Sequence, residues 1–144
     1  MVYSWGNGQG GRLGHGDDTG ENVPKEIVYF RQNSVKVSVI EAGEGNSAAV
    51  TSKNELLIWG IGLHGRLGTG RTNNVYTPSY LDDLDSIKVE DVSLGSNHTM
   101  CILRNGKVMC WGSSKEGKIG LDSALDRNFL VPRELIALEK EKIF

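Results

Sequence analysis

A Trp-Gly pair that recurs about every 53 residues constrains the fold of this chain more than any other feature of its sequence. The pairs begin at Trp5, Trp59 and Trp111. Each is followed six, eight and nine positions later by a glycine, an aliphatic residue and a second glycine, and further on by a proline. The matched positions are Gly11, Leu13, Gly14 and Pro24; Gly65, Leu67, Gly68 and Pro78; and Gly117, Ile119, Gly120 and Pro132. A unit copied at this period must stack on neighbouring copies to bury its faces.

A second motif lies between the tryptophans, within stretches that are typical of short strands. Gly43 followed by Asn46-Ser47 is matched by Gly95 followed by His98-Thr99. No stretch has sustained helical periodicity apart from residues 133–142, where the repeat itself favours a connection. The sequence therefore predicts an all-β chain with repeats at about 2–27, 35–81 and 87–135. One break in the alternation of apolar residues over 87–94 predicts a bulge or a late strand start.

The two cysteines give the expected strand register. If Asn105-Gly106 forms a two-residue hairpin turn, Cys101 lies directly opposite Cys110. The equivalent hairpin would then pair Ala49 with Ile58, so both hairpins share one register. Two cysteines are too few for a disulfide framework and lack metal-ligand spacing, so we expect reduced, structural thiols.

Charge and hydropathy exclude several function classes. The formal net charge is −2, and no run of like charges forms a basic arm, so no direct binding of nucleic acid is expected. The longest nearly apolar stretch, residues 56–63, is too short and glycine-rich to span a bilayer. The first residues have no signal-peptide pattern. We therefore expect a cytoplasmic or nuclear protein without membrane partners.

Together the two motifs resemble the regulator-of-chromosome-condensation repeat family. Its pattern is a hydrophobic residue with Trp-Gly, then Gly-Gln/Arg-Leu-Gly, a proline, and Gly-x-x-His-Ser/Thr. The chain departs from it at Asn46, where the family usually has histidine, and at Lys118-Ile119 in the third copy. The resemblance implies a β-propeller of four-stranded antiparallel blades, seven in a complete ring. This chain holds at most three repeats and is expected to form a partial propeller.

The repeat boundaries also imply that both ends of the chain fall within blades. The simplest expectation is that these residues belong to a longer propeller. If the gene ends at Phe144, the open blade edges are expected to be covered by self-association.

A dinucleotide-like motif, Gly-x-Gly-x-x-Gly, occurs at residues 6–11 and again at residues 60–65. That fingerprint binds a pyrophosphate only when a helix begins within it. Further glycines follow in both loops, so a helix is not expected there. We predict structural turns and no cofactor.

The repeated aromatic and imidazole positions have a structural interpretation. Trp5, Trp59 and Trp111, with Gly6, Gly60 and Gly112 after them, are expected to pack between blades. His98 stands at the family's structural histidine position and is expected to form a hydrogen bond within or between blades. A light-sensing member of the family uses clustered tryptophans in the Gly-x-x-His-Ser/Thr element, and both copies of that element lack tryptophan here. The sequence shows no catalytic or metal-binding constellation, so no enzyme activity is expected.

Three cations occupy one repeat position, Arg12, Arg66 and Lys118. Equivalent loop residues of stacked repeats line up on one face, so the three are expected to form an arc. Two interpretations stay open: solvated loop charge, or a basic rim that binds an acidic protein partner. On either, Arg66→Ala is predicted to change stability by less than about 0.5 kcal/mol.

The resemblance implies three hypotheses about function. The first is a protein-protein interaction or scaffold module. The second is guanine-nucleotide exchange on a Ran-like small GTPase, the activity of the family's founding member. The third is a regulatory propeller of a larger multidomain protein such as a ubiquitin ligase. Fold analogy alone does not separate them.

Overall fold

The computed structural model describes residues 1–121, 126–138, 140–141 and 143. Within these ranges ten strands form three antiparallel sheets. The strands are β1 (Tyr3–Gly6), β2 (Glu21–Glu26), β3 (Val37–Ala42), β4 (Asn46–Thr51), β5 (Leu56–Gly60), β6 (Val75–Tyr80), β7 (Val89–Leu94), β8 (His98–Leu103), β9 (Val108–Ser113) and β10 (Asn128–Glu134).

The sheets follow the repeat. The second and third have the orders β3-β4-β5-β6 and β7-β8-β9-β10, so each four-stranded sheet is one blade built from consecutive strands. The first sheet contains β1 and β2 alone, which are equivalent to the last two strands of the other blades. Residue 38 in β3 and residue 90 in β7 interrupt the pairing, so the predicted bulge is present.

The sequence patterns did not predict one short helix. Helix α1 spans Val28–Gln32 and follows β2, where it buries Phe30 against Trp59. Five residues are too few to show a helical period. Among the described residues of 133–142 the structure has the end of β10 and a 3-10 turn at Ile136–Leu138.

The hairpin register differs from the prediction by one residue. Leu103 N donates to Lys107 O at 2.8 Å, so the loop has three residues, and Gly106 takes a φ of 83°. Such a turn ends in a left-handed residue and displaces the pairing relative to a two-residue turn. Cys101 therefore faces Met109, and Cys110 faces Met100.

The β4–β5 hairpin has the same three-residue geometry. Asn54 is its left-handed residue, with a φ of 65°, and Ala49 pairs with Leu57 rather than Ile58. The shared register of the two hairpins was thus correct, and the residue pairs were not.

This register places the two thiols on opposite faces of the third blade, because opposed residues share a face and neighbours alternate. Cys101 packs with Ala48, Val50 and Leu67 between the second and third blades. Cys110 packs with Ile119 on the other face. Both cysteines are free and buried.

Slow thiol reactivity follows from this burial. Burial raises the pKa of Cys101 to about 12 and that of Cys110 to about 11, so neither forms a thiolate near neutral pH. We expect an aromatic disulfide reagent to label the native chain very slowly and to release two equivalents at once in denaturant. Rapid labelling of either thiol in the native chain would contradict this placement.

Candidate protein-binding surface

The junction between the first and second blades centres on one backbone carbonyl, that of Arg12. This residue follows a 3-10 turn at Gln9–Gly11 in the loop between β1 and β2. Its carbonyl oxygen accepts from Ser47 Oγ at 2.8 Å and from Trp59 Nε1 at 3.1 Å. Both donors belong to the second blade, so the loop of one blade is fixed by the next.

The junction between the second and third blades repeats this arrangement. The carbonyl oxygen of Arg66 accepts from Thr99 Oγ1 at 2.7 Å and from Trp111 Nε1 at 2.9 Å. A Cβ built on Gly68 would lie 2.8 Å from Trp111 Nε1, and Gly68 also has a φ of 73°. Glycine is therefore required here for both backbone conformation and close approach of the indole.

The three tryptophans do not share one environment. Trp59 and Trp111 lie in the junctions with 1% and 0% of their surface exposed. Trp5 is 59% exposed, and within the described residues it does not lie between two blades. The loop that covers Trp59 comes from the repeat before it, and Trp5 belongs to the first repeat of this sequence. The packing between blades expected of Trp5 therefore stays a prediction.

The arginine side chains reinforce the junctions. Arg66 Nε donates to Leu63 O at 2.9 Å, and one of its terminal nitrogens donates to Asn97 Oδ1 at 2.6 Å. Arg12 likewise bonds to Gln9 O within its own loop and to Glu44 O of the next blade. Each guanidinium thus closes its 3-10 turn and reaches the following blade.

Arg66 is not a solvated loop residue. Only 5% of its surface is exposed, and burial lowers the pKa of its guanidinium, with the charge of Arg12 acting in the same direction. Arg12 and Lys118 are half-buried. Repeat position alone could not distinguish these environments, because the contacts of each side chain depend on the blade that follows.

His98 and Asn46, at equivalent repeat positions, fill the space above a glycine three residues earlier. A Cβ on Gly95 would lie 2.2 Å from the His98 ring, and one on Gly43 would lie 2.7 Å from Asn46 Oδ1. Within the described residues neither His98 Nδ1 nor the side-chain amide of Asn46 has a hydrogen-bond partner. The hydrogen bond expected of His98 is therefore not made through Nδ1. Burial lowers the pKa of His98, and the charge of Lys118 lowers it further.

These contacts gather at one end of the blades, on a surface that we term the loop face. It comprises residues 7–20, 43–45, 61–74, 95–97 and 114–121, the connections from β1 to β2, β3 to β4, β5 to β6, β7 to β8 and β9 to β10. Both Gly-x-Gly-x-x-Gly segments start at the last residue of a strand, Gly6 or Gly60, and continue in this face through 3-10 turns rather than into an α-helix. In the described part of the chain no three His, Cys, Asp or Glu side chains are grouped to hold a metal ion.

Comparison with known proteins identifies the repeat. The model described as the regulator of chromosome condensation (RCC1) repeat matches residues 1–50 and 53–102, and a second model of the same description matches residues 89–118. This chain belongs to the RCC1 repeat family. The resemblance inferred from the sequence is thereby confirmed.

Two curated relatives are similar over most of this chain. Human E3 ubiquitin-protein ligase HERC2 is 43% identical over 123 residues, which are 83% of this chain and 2% of the ligase. The ultraviolet-B receptor UVR8 of Arabidopsis thaliana is 32% identical over 142 residues, 99% of this chain and 31% of the receptor. The chain thus spans less than a third of either relative.

The crystal structure of Prp20p from Saccharomyces cerevisiae supports the fold of this RCC1 chain. It matches with a TM-score of 0.76 and 21% identity, over 92% of this chain and 33% of Prp20p. With the two four-stranded blades, this likeness confirms the prediction of an all-β partial propeller. None of the helices in the described ranges is long and apolar enough to cross a membrane.

The junction geometry predicts that replacing equivalent tryptophans lowers the free energy of unfolding by different amounts. We expect Trp59→Ala to lower the free energy of unfolding by about 3–5 kcal/mol, because it empties a buried site and removes a donor to Arg12. Trp5→Ala is the matched control and should change it by less than about 1 kcal/mol. Denaturant unfolding of both variants measures the difference, and equal losses would contradict the junction.

Arg66 should also stabilise the fold, against the expectation from its loop position. We expect Arg66→Ala to cost about 1–3 kcal/mol, since it leaves Leu63 O and Asn97 Oδ1 without their buried donor. Arg71→Ala, on the exposed part of the same loop, should stay within about 0.5 kcal/mol. Denaturant midpoints compare the two, and a cost for Arg66→Ala as small as the control's would show that the junction does not need this side chain.

Proposed function

We propose that this chain is a protein-protein interaction module that binds its partner through the loop face. The observation that supports the proposal is that the following blade holds the loops of that face in place. Its two Gly-Arg-Leu-Gly loops are bonded to the following blade through backbone and side-chain atoms. Loops held in this way offer their outward side chains with little loss of conformational entropy on binding.

The outward side chains supply the contacts for such a partner. Leu63 is 53% exposed at the start of a 3-10 turn and is the one exposed large hydrophobic residue among the described residues of the loop face. Lys118 and Arg12 are half-buried on the same face and remain our candidates for contact with acidic groups. Arg66, by contrast, would act by positioning its loop.

A setting within a larger protein fits this role. HERC2, which is 43% identical over 123 residues, is an E3 ubiquitin-protein ligase of which this chain covers 2%. We infer that the chain acts as a regulatory or scaffolding propeller segment rather than as a catalyst.

Nucleotide exchange on a small GTPase is the second candidate. The structure of Prp20p was reported together with its binding properties to Gsp1p and histones. An exchange factor works by binding and stabilising the nucleotide-free GTPase, so it would use the same loop face without any acid–base residue.

The proposal predicts that binding depends on one end of the blades. We expect Leu63→Asp and Lys118→Glu to reduce the proteins retained from cell extract by the immobilised chain at least tenfold. Lys53→Glu reverses an exposed charge at the opposite end, in the β4–β5 hairpin, and should retain them as the native chain does. Quantitative mass spectrometry of the retained proteins measures the difference, with circular dichroism to verify folding.

Loss of binding on Lys53→Glu alone would place the interface at the hairpin end and contradict the proposal.

A fluorescent-GDP release assay with a Ran-like GTPase separates the two candidate functions. Accelerated release that Leu63→Asp abolishes would favour exchange, whereas release at the intrinsic rate would favour the scaffold.

A further inference from the structure

The middle connection of the loop face, residues 61–74, combines an exposed apolar side chain with positive charge alone. We term it the second loop, between the first loop (residues 7–20) and the third (residues 114–121). It contains two arginines and no acidic residue, whereas the first loop contains two aspartates and the third a glutamate. In its 3-10 turn Leu63 and His64 are equivalent to Gln9 and Gly10 in the first loop and to Lys115 and Glu116 in the third. Neither neighbouring loop therefore offers the same chemistry.

The two ends of the second loop are in direct contact. A Cβ built on Gly62 would lie 1.9 Å from the carbonyl oxygen of Asn73, and Gly62 N donates to Asn74 Oδ1 at 3.2 Å. Leu63 is one residue from this contact and Arg71 is two residues from it. Both side chains therefore arise from one small area of backbone, which a few residues of an extended partner would span.

Hydrogen bonds hold this area of backbone on both sides. The carbonyl oxygen of Leu63 accepts from Arg66 Nε at 2.9 Å, within the loop itself. Gly70 N, next to Arg71, donates to the carbonyl oxygen of Leu130 in the third blade at 2.8 Å. A partner would therefore meet a backbone that is already ordered, so binding would cost little conformational entropy there.

The side chains on this backbone are available for contact. Leu63 is 53% exposed, and Arg71 is exposed and takes part in no ion pair among the described residues. A single exposed leucine is ordinary on a soluble protein. An unpaired arginine close to it on a fixed backbone is a more specific feature, because a guanidinium binds carboxylates through two parallel hydrogen bonds.

We propose that the second loop binds a short extended segment of a partner protein in which acidic residues flank a large apolar side chain. The apolar side chain would pack on Leu63, and a carboxylate would accept hydrogen bonds from the Arg71 guanidinium. This inference rests on the proposed function, since it assumes that partners bind the loop face.

Charge complementarity selects this occupant. The buried guanidinium of Arg66 adds a second positive charge beneath the loop, and the loop has no carboxylate of its own to compensate either arginine. A basic segment would be repelled, whereas an acidic one would neutralise both charges.

Selection of random peptides of about twelve residues, displayed on phage, tests the proposal on the immobilised native chain. We expect the enriched peptides to place aspartate or glutamate beside leucine, isoleucine, methionine or phenylalanine. Synthesised, they should bind Leu63→Asp and Arg71→Glu at least about tenfold more weakly than the native chain. Arg104→Glu is the matched control, since it reverses an exposed arginine in the β8–β9 hairpin at the opposite end, and it should bind them as the native chain does.

A second selection, on Arg71→Glu, gives a readout that a merely structural role would not change. We expect lysine and arginine to replace the acidic residues beside the apolar one, because the charge that the loop presents has been reversed. Circular dichroism verifies that each variant is folded.

The failure of this inference can be distinguished from that of the proposed function. Peptides that depend on Leu63 but carry no acidic residue, or that bind Arg71→Glu as well as the native chain, would overturn the inference and leave the loop face as the binding surface. Peptides whose binding only Arg104→Glu weakens would place the interface at the hairpin end and contradict both. A selection that enriches no sequence would also overturn the inference, because the ordered loop is proposed to bind a linear segment by itself.

Discussion

The stacking of the blades depends on a backbone carbonyl that accepts two side-chain donors from the next blade. At Arg12 and again at Arg66 a hydroxyl and an indole N–H use this oxygen. A buried carbonyl without its donors costs about 1–3 kcal/mol. The following blade therefore stabilises the loop by supplying these donors. The stability of each loop is thus coupled to the stacking of its neighbour.

Further bonds extend this coupling across the whole height of the blades. On the loop side, Gly16 N donates to Tyr76 O and Gly70 N donates to Leu130 O. At the opposite end Asn54 accepts from Val89 N through its carbonyl and donates to Val89 O through its side chain. The second blade is thus tied to the third at both ends, and an array held by nearest-neighbour contacts gains stability junction by junction.

The sequence contained the repeat but not the environment of each copy. The Trp-Gly period predicted the blades because period is a property of the chain, and the strand order followed from the hairpins. The predicted register of both hairpins was wrong by one residue. Each turn has a third residue in the left-handed conformation, Asn54 or Gly106, and is therefore longer than the two-residue turn that was expected. Arg66 looked like a surface cation, yet it is buried by the turn at Asn97. Contacts made by a neighbouring blade cannot be found from the repeat position alone.

In these loops the backbone conformation does not depend on which side chain is present, so the residues of the loop face can vary. Within the 3-10 turns the left-handed position is occupied in turn by Gly10, His64 and Glu116, with φ of 73°, 64° and 63°. That conformation costs a residue with a Cβ about 1–2 kcal/mol. It persists at His64 and Glu116 as at Gly10 because equivalent backbone bonds, such as Gly65 N to Gly62 O at 2.9 Å, close every turn. The backbone therefore fixes the position while the side chain is free to change. On the proposed binding surface, a change of residue at this position would alter partner recognition without disturbing the junction beneath it.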